Sequence, residues 1–528
     1  MRLTNYLEKD KDLNNFIDKT KDVKNSMITG ANAGAFSLLL KQIVNERKAP
    51  LVLIEENEHK AQDLYGKLSA ILPEGQVQIF PVDDMIATQT ATTSPDELSS
   101  RIQTLNFLLS NKPGIVVTTP AGLQYKLSKP EEYLAFKKTF DLDSEYDLKE
   151  LNDWLVRAGY HKESLVGKSG EFAIRGDILD IYPLDRENPV RIEFFGDEID
   201  SIKEFDLSTQ RSQKELDKLT IFAAHDRVFS RDNLKKAAEK IRKAMANAPA
   251  PEKAVKDHFT QSLDELDAGG LPNNYAFLVD YLISRPSSLL EYLSKDGLVF
   301  LDDWPLINQS VKNVDSENAA FIDDELKTGA MLPGQELRLN FKRVWSKDSH
   351  HRIYFSLFQR SLGRIKLDQM LDWQTREPEQ FFSQMPLIKT EIESYQKNAQ
   401  TVILQTDNEK RAKQMSQNFA DFGLDIPIVN KDDLIEKRTQ IVVGEFSEGF
   451  NLPNINLIYL TERELFNKRV HHKKRIKTLE NAQRLRNYTE LKPGDYVVHV
   501  NHGIGRFEGI KTLENNGVKR DYITITYQ

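Results

Sequence analysis

Ser26-Met27-Ile28-Thr29-Gly30-Ala31-Asn32-Ala33-Gly34-Ala35-Phe36-Ser37-Leu38-Leu39-Leu40 reads as an apolar strand, a glycine turn and the opening of a helix. That is the order of a nucleotide phosphate-binding loop, whose working form is G-x-x-x-x-G-K followed by Ser or Thr. Gly30 matches the first glycine and Ser37 the metal-binding hydroxyl, but Ala35 replaces the second glycine and Phe36 the lysine. The lysine is a point cation that reaches the β- and γ-phosphates, and a phenyl ring cannot take its place. Backbone N–H groups at the helix start would still attract an anion weakly. The stretch therefore predicts the start of an α/β domain, with no cofactor expected at its degenerate loop.

Working outward, Leu51-Val52-Leu53-Ile54 reads as a strand, followed by a helix from about His59 to Ile71 and the strand Val77-Gln78-Ile79-Phe80. Ser94-Pro95-Asp96-Glu97-Leu98 is a capped helix start, and the helix runs through Leu109. Gly114-Ile115-Val116-Val117-Thr118-Thr119 is another buried strand. Continuous apolar strands alternating with helices predict a parallel sheet. From Glu171 to Leu207 the period changes to two, which predicts an inserted antiparallel α+β domain. Charged helical sequence follows from about Arg231, and Leu298-Val299-Phe300-Leu301 is expected to return to the first sheet.

A further α/β pattern begins near Pro386, with strands Thr401–Leu404, Gln440–Val443 and Leu457–Leu460. A basic helix is predicted from about Phe466 to Leu491. The last segment alternates and carries Gly503, Gly505 and Gly509, as a small barrel would. It stops within a strand pattern, so the chain is expected to be part of something longer. The expected fold is α/β multidomain, with a degenerate phosphate-loop body at 1–135 and an insertion at 136–217. The body returns at 218–375, a small α/β domain spans 376–465, a basic linker helix 466–490, and the start of a barrel 491–528.

Bulk composition narrows the function classes. A chain of 528 residues exceeds one core and predicts about three to five domains. A net charge of −8 argues against a surface that tracks nucleic acid throughout. The absence of cysteine excludes disulfides, thiolate metal sites and cysteine nucleophiles. The sequence MRLTNYLEKDKDLNNF lacks the apolar run of a signal peptide, and no stretch approaches a membrane span. A cytoplasmic location without membrane attachment is the default expectation.

Asp302 and Asp303 end an apolar strand, where motor proteins hold Mg²⁺ and polarise water. Without the lysine there is no phosphate to serve, so a solvent-facing acidic strand end is expected. His350-His351 and His471-His472 are adjacent pairs, and neighbours in sequence do not face one metal; no metal site is expected. The basic run Lys468–Lys477, with Arg484 and Arg486, lacks interleaved aromatics and reads as a solvated helix. Arg175, Arg191 and Phe195 combine arginine with an aromatic on strands of one small sheet, the composition of interface anchors. No residue stands out as catalytic.

Two long stretches carry a family resemblance. Gly170–Pro183 and Pro189–Ile202 resemble the second domain of the bacterial transcription-repair coupling factors, a domain shared with the excision-repair subunit UvrB. Thr209-Gln210-Arg211-Ser212 is more typical of the coupling factors than of UvrB. Val497–Phe507, continued by Gly509–Glu514, resembles the start of their Tudor/CarD-like module for RNA polymerase. The degenerate phosphate loop is usual for the family's first domain. Phe80–Ser94 is short and has no tyrosine, whereas UvrB carries a long tyrosine-rich hairpin there.

The resemblance implies a UvrB-like body whose insertion recruits UvrA, with Arg175, Arg191 and Phe195 at the matching contact positions. It implies a barrel that grips the RNA polymerase β subunit, with Leu513 at a contact position. It assigns ATP, Mg²⁺ and double-stranded DNA to a motor half beyond Gln528. The implied function is an adaptor in transcription-coupled nucleotide excision repair. The alternatives are a UvrB-like ATP-dependent DNA helicase and a transcription regulator that binds polymerase through its barrel alone. Phe36 separates the first alternative and the long UvrB-like body the second.

Overall fold

A computed structural model describes residues 2–84, 86, 95–142, 144–272, 274–468, 496–499, 503–515 and 518–527. The chain divides into two compact units, one reaching His472 and one made mainly of Lys473–Gln528.

The strands before the insertion are β1 (Asn25–Thr29), β2 (Pro50–Ile54), β3 (Val77–Ile79) and β4 (Gly114–Thr118). The insertion contributes β5 (Lys138–Asp141), β6 (His161–Lys162), β7 (Glu171–Arg175), β8 (Ile178–Ile181), β9 (Val190–Phe195), β10 (Glu198–Phe205), β11 (Ser212–Glu215) and β12 (Lys218–Ile221). After it come β13 (Leu298–Asp302), β14 (His351–Ser356) and β15 (Gln369–Asp372).

β1–β4 and β13–β15 form one seven-stranded sheet in the order β15-β1-β14-β13-β2-β4-β3, parallel throughout. Every residue of β2 and β4 is buried, because helices cover both faces and leave no polar side to alternate with. The order has a consequence for folding. β13 and β14 lie between β1 and β2, so the segment before the insertion cannot close its own sheet. Its backbone groups are satisfied only when the chain comes back.

The insertion is a six-stranded sheet, β11-β10-β9-β8-β7-β6, antiparallel except for the short β6–β7 pair. The helix Leu148–Arg157 is capped by Asp147, whose carboxylate accepts from the N–H groups of Lys149 and Glu150. It buries Leu151 and Leu155 against Phe172, Leu179, Ile192 and Phe194 on one sheet face. β5 and β12 pair antiparallel where the chain leaves and rejoins the body.

That junction holds a buried charge network. Arg101, on the helix Pro95–Leu109, donates from Nε to Asp226 Oδ2 at 2.6 Å, and neither side chain is more than 4% exposed. The Tyr125 hydroxyl donates to the same oxygen at 2.8 Å, and the Arg227 guanidinium lies 4.0 Å from the Tyr125 ring centroid. Burial alone would push the Asp226 carboxyl up, but Arg101 and Arg227 outweigh it and hold it below its ordinary value.

Beyond the insertion, helices Arg231–Met245, Glu252–Asp267 and Tyr275–Leu282 pack around Ile241, Phe259, Leu266 and Leu282. The last sheet of this unit contains β16 (Thr401–Thr406), β17 (Thr439–Val443), β18 (Phe450–Leu452) and β19 (Leu457–Leu460), in the order β17-β16-β19-β18. Its residues Ile403, Val442, Phe450 and Tyr459, with Phe446 from the β17–β18 loop, share one core with Phe36, Leu39 and Ile43. The change of pattern near residue 376 thus marks a new sheet joined to the first core.

In the second unit, β20 (Tyr496–His499), β21 (Gly503–Asn515) and β22 (Val518–Tyr527) form an antiparallel meander. The basic helix expected over 466–490 falls almost wholly on residues outside the described set, as do His471, His472, Arg484 and Arg486.

Candidate protein-interaction face and the altered phosphate loop

The helix opened by the glycine turn spans Ala33–Arg47 and is capped by Asn32, whose Oδ1 accepts from the Ala35 N–H at 2.9 Å. The loop's backbone is already engaged. The Gly30 N–H donates to the Leu357 carbonyl at 3.1 Å, and the Asn32 N–H donates to Thr375 Oγ1 at 2.9 Å. Thr375 Oγ1 in turn donates to the Gly30 carbonyl at 2.8 Å. A β-carbon on Gly34 would lie 2.4 Å from the Gly449 carbonyl oxygen, so the last α/β sheet presses directly on the helix start. Phe36 is 7% exposed, with its ring 4.4 Å from Phe355 and 5.8 Å from Phe300 between centroids. Ser37 is buried as well. The position of the missing lysine is a core position.

Asp302 and Asp303 do not form the solvent-facing strand end that the sequence predicts. Asp303 has φ +60°, is 15% exposed and pairs with Arg360 at 3.0 Å. The Asp302 carboxyl interacts with that of Glu55, a buried acid just after β2. β13 ends among its neighbours in the parallel sheet, where Glu55 approaches Asp302 and Arg360 pairs with Asp303, so neither acid is left fully in water. Burial, with the neighbouring carboxylates, pushes Asp302 to about 6 and Glu55 well above its ordinary value. The folded state therefore binds more protons than the unfolded chain as pH rises from about 4. Stability present at low pH is lost as pH climbs through about 6. Asp302→Asn is expected to stabilise the protein by about 1–2 kcal/mol at pH 8 and by much less at pH 5. Thermal melts of both forms at the two pH values check this, and equal shifts at both would contradict it.

The histidine pair His350-His351 is engaged in hydrogen bonds. His350 Nδ1 lies 2.6 Å from Asp348 Oδ1 and Nε2 lies 3.1 Å from the Ser294 carbonyl oxygen. His351 Nδ1 is 2.7 Å from the Val23 carbonyl oxygen. Among the described residues no cluster of three metal-ligating side chains occurs.

Arg175, Arg191 and Phe195 lie on the sheet face opposite the helix Leu148–Arg157, where Arg175 and Arg191 meet at Asp180. The period of two explains the sorting: Val190, Ile192 and Phe194 point into the core, and Arg191, Glu193 and Phe195 point the other way. Arg175 and Phe195 each immediately precede a Gly-Asp turn, Gly176-Asp177 and Gly196-Asp197, whose glycines have φ +58° and +67°. Two-residue turns of this hand need a glycine there. Both turns lie at the same end of the sheet, which puts Arg175 and Phe195 at neighbouring hairpin tips.

The three residues are not equally presented. Phe195 is 82% exposed. Arg175 has 44% of its side chain exposed and Arg191 only 15%. Arg191 is held from below: Nε and Nη2 donate to Asp180 at 2.7 and 2.9 Å, Nη1 to the Gln210 carbonyl at 3.3 Å, and the guanidinium lies 4.8 Å from the Phe205 ring centroid. Arg175 Nη2 donates to the same Asp180 carboxylate at 2.5 Å. Asp180 was missed in the sequence reading. Its signal was there, as one acid inside the apolar strand Ile178-Leu179-Asp180-Ile181. Leu513 lies on β21, opposite Arg520, and only its backbone is described.

This fold and face define a protein-interaction domain of the UvrB type, inserted in a parallel α/β body. The family model described as the UvrB interaction domain matches residues 139–226, and that described as the CarD-like/TRCF RID domain matches 491–528. Along nearly its whole length the chain is similar to proteins named transcription-repair-coupling factor. It is 32% identical over 513 residues to the transcription-repair-coupling factor of Bacillus subtilis strain 168, covering 96% of this chain and 44% of that protein. The corresponding figures are 30% identity over 538 residues, 100% and 45% for that of Staphylococcus haemolyticus strain JCSC1435. For Staphylococcus aureus strain Mu50 they are 29% over 514 residues, 96% and 44%. The chain thus spans under half the length of the curated relatives it matches. No described helix is long and apolar enough to cross a membrane.

Proposed function

We propose that this chain is the adaptor part of a transcription-repair coupling factor, bringing UvrA to RNA polymerase in nucleotide excision repair. The observation that carries the reading is Phe195, a large apolar ring left 82% exposed at the hairpin tip next to that of Arg175, on the domain matched as UvrB-interacting. An exposed aromatic next to a fixed guanidinium is the composition of a binding anchor. The β20–β22 meander lies in the segment matched as CarD-like, which supports the RNA polymerase β subunit as the second partner, with Leu513 at its contact. Titrating the purified chain with UvrA tests the first contact. Saturable binding is expected, and none at tens of micromolar would overturn the assignment.

On this reading the Gly30 loop binds no nucleotide. Phe36 sits in the core, and the N–H groups of Gly30, Asn32 and Ala35 already have protein acceptors. ATP, Mg²⁺ and duplex DNA are handled by a motor in the part of the relatives that this chain does not match. Equilibrium titration with labelled ATP and Mg²⁺ is expected to show no micromolar binding. Binding that Gly34→Ala abolishes would place a nucleotide at the loop after all.

A further inference from the structure

We infer that Asp180 is the positioning residue of this face, aiming Arg175 at a carboxylate on the partner. The inference rests on the reading of the insertion as the UvrA-binding domain. Asp180 is fully buried, sits in the middle of β8, and lies across from Ala173 on one side and Arg191 on the other. Its Oδ1 accepts from Arg191 Nε, and its Oδ2 accepts from both Arg191 Nη2 and Arg175 Nη2. One buried carboxylate thus binds two guanidinium groups and leaves the trio one positive charge in excess.

The two arginines use that carboxylate differently. Arg191 takes it in a bidentate fork, closes its outer side on the Gln210 carbonyl, and stacks on Phe205. It is a fixed wall with little left to offer. Arg175 spends one nitrogen on Asp180, and among the described residues its Nε and Nη1 have no acceptor. A guanidinium tethered at one corner keeps its plane and presents its free N–H donors outward. That geometry matches a carboxylate and is lost in a mobile side chain. Glu193, on the same face, is drawn off by Ser201 and Lys203 at 2.6 and 3.1 Å, so it does not compete for Arg175. Phe195 stands exposed at the adjacent hairpin tip and adds apolar surface at the same end of the sheet.

Calorimetric titration of the whole chain with UvrA tests this. Asp180→Asn, which keeps the shape and removes the charge, is expected to weaken binding about tenfold or more. In an Arg175→Ala background the same change should cost under about threefold, because the group it positions is gone. Equal losses in the two backgrounds would mean that Asp180 acts through the fold alone, and the inference would fall. Arg175→Lys provides a variant at an exposed site in case Asp180→Asn does not fold. It keeps the charge but not the tethered plane, and it should lose nearly as much affinity as Arg175→Ala; wild-type binding by Arg175→Lys would overturn the inference. Phe195→Ala separates the two levels. If Phe195→Ala and Arg175→Ala both bind like wild type, the reading of this face as the UvrA site is wrong. If both weaken binding while folded Asp180→Asn does not, only the positioning role is wrong.

Discussion

Truncating Phe195 to alanine should lower the affinity for UvrA by about 30-fold or more, corresponding to about 2 kcal/mol or above for an aromatic anchor. The same change should leave folding intact. The ring is 82% exposed at a hairpin tip and belongs to no core cluster, so its removal opens no cavity. Binding and stability are therefore expected to separate at this position. Arg191→Ala should not separate them, because it strips the bidentate partner from the fully buried carboxylate of Asp180 and leaves Arg175 alone on it. Calorimetric binding and thermal melting of the two variants side by side measure the contrast. Wild-type affinity for Phe195→Ala would remove the main support for the proposed adaptor role.

The largest effect on stability is expected at Arg101. Replacing it with alanine leaves Asp226 buried with Tyr125 as its remaining direct hydrogen-bond donor and Arg227 as its neighbouring cation. Removing one partner of a buried pair typically costs about 3–5 kcal/mol. The site lies where the insertion rejoins the body, so the loss should appear as an early unfolding transition of that junction in urea. Arg101→Met combined with Asp226→Leu removes both charges and should recover much of the loss. An unchanged urea midpoint for Arg101→Ala would show that the network contributes little.

Much of the architecture was readable in the residues because the period of apolar positions reports the local element directly. Continuous runs such as Leu51–Ile54 announced strands covered on both faces, and the switch to alternation at Glu171 announced a sheet with two unlike faces. The arginine and aromatic composition of that sheet's strands singled out Arg175, Arg191 and Phe195. The missing lysine was readable too, since a substitution at a motif position needs no coordinates.

Other features could not be read that way. Periodicity says nothing about which strands pair, so the wedging of β13 and β14 between β1 and β2 was invisible. The merging of the last α/β sheet with the first core was hidden for the same reason. Asp302 and Asp303 were expected to face water because acids usually do. Glu55, some 250 residues earlier in the chain, lies beside Asp302 only after folding, and Arg360 likewise comes to Asp303 from another segment.

The kinds of element, the change of period at the insertion and the loss of the phosphate-loop lysine were all legible before any fold was known. These depend on residue type and local spacing, which are properties of the chain before it folds. Only folding puts Phe36 in the core, half-buries Arg191 against Asp180 and Phe205, and leaves Phe195 exposed. Burial and pairing are set by contacts between distant segments. A side chain's role at a surface is fixed only when those segments have met.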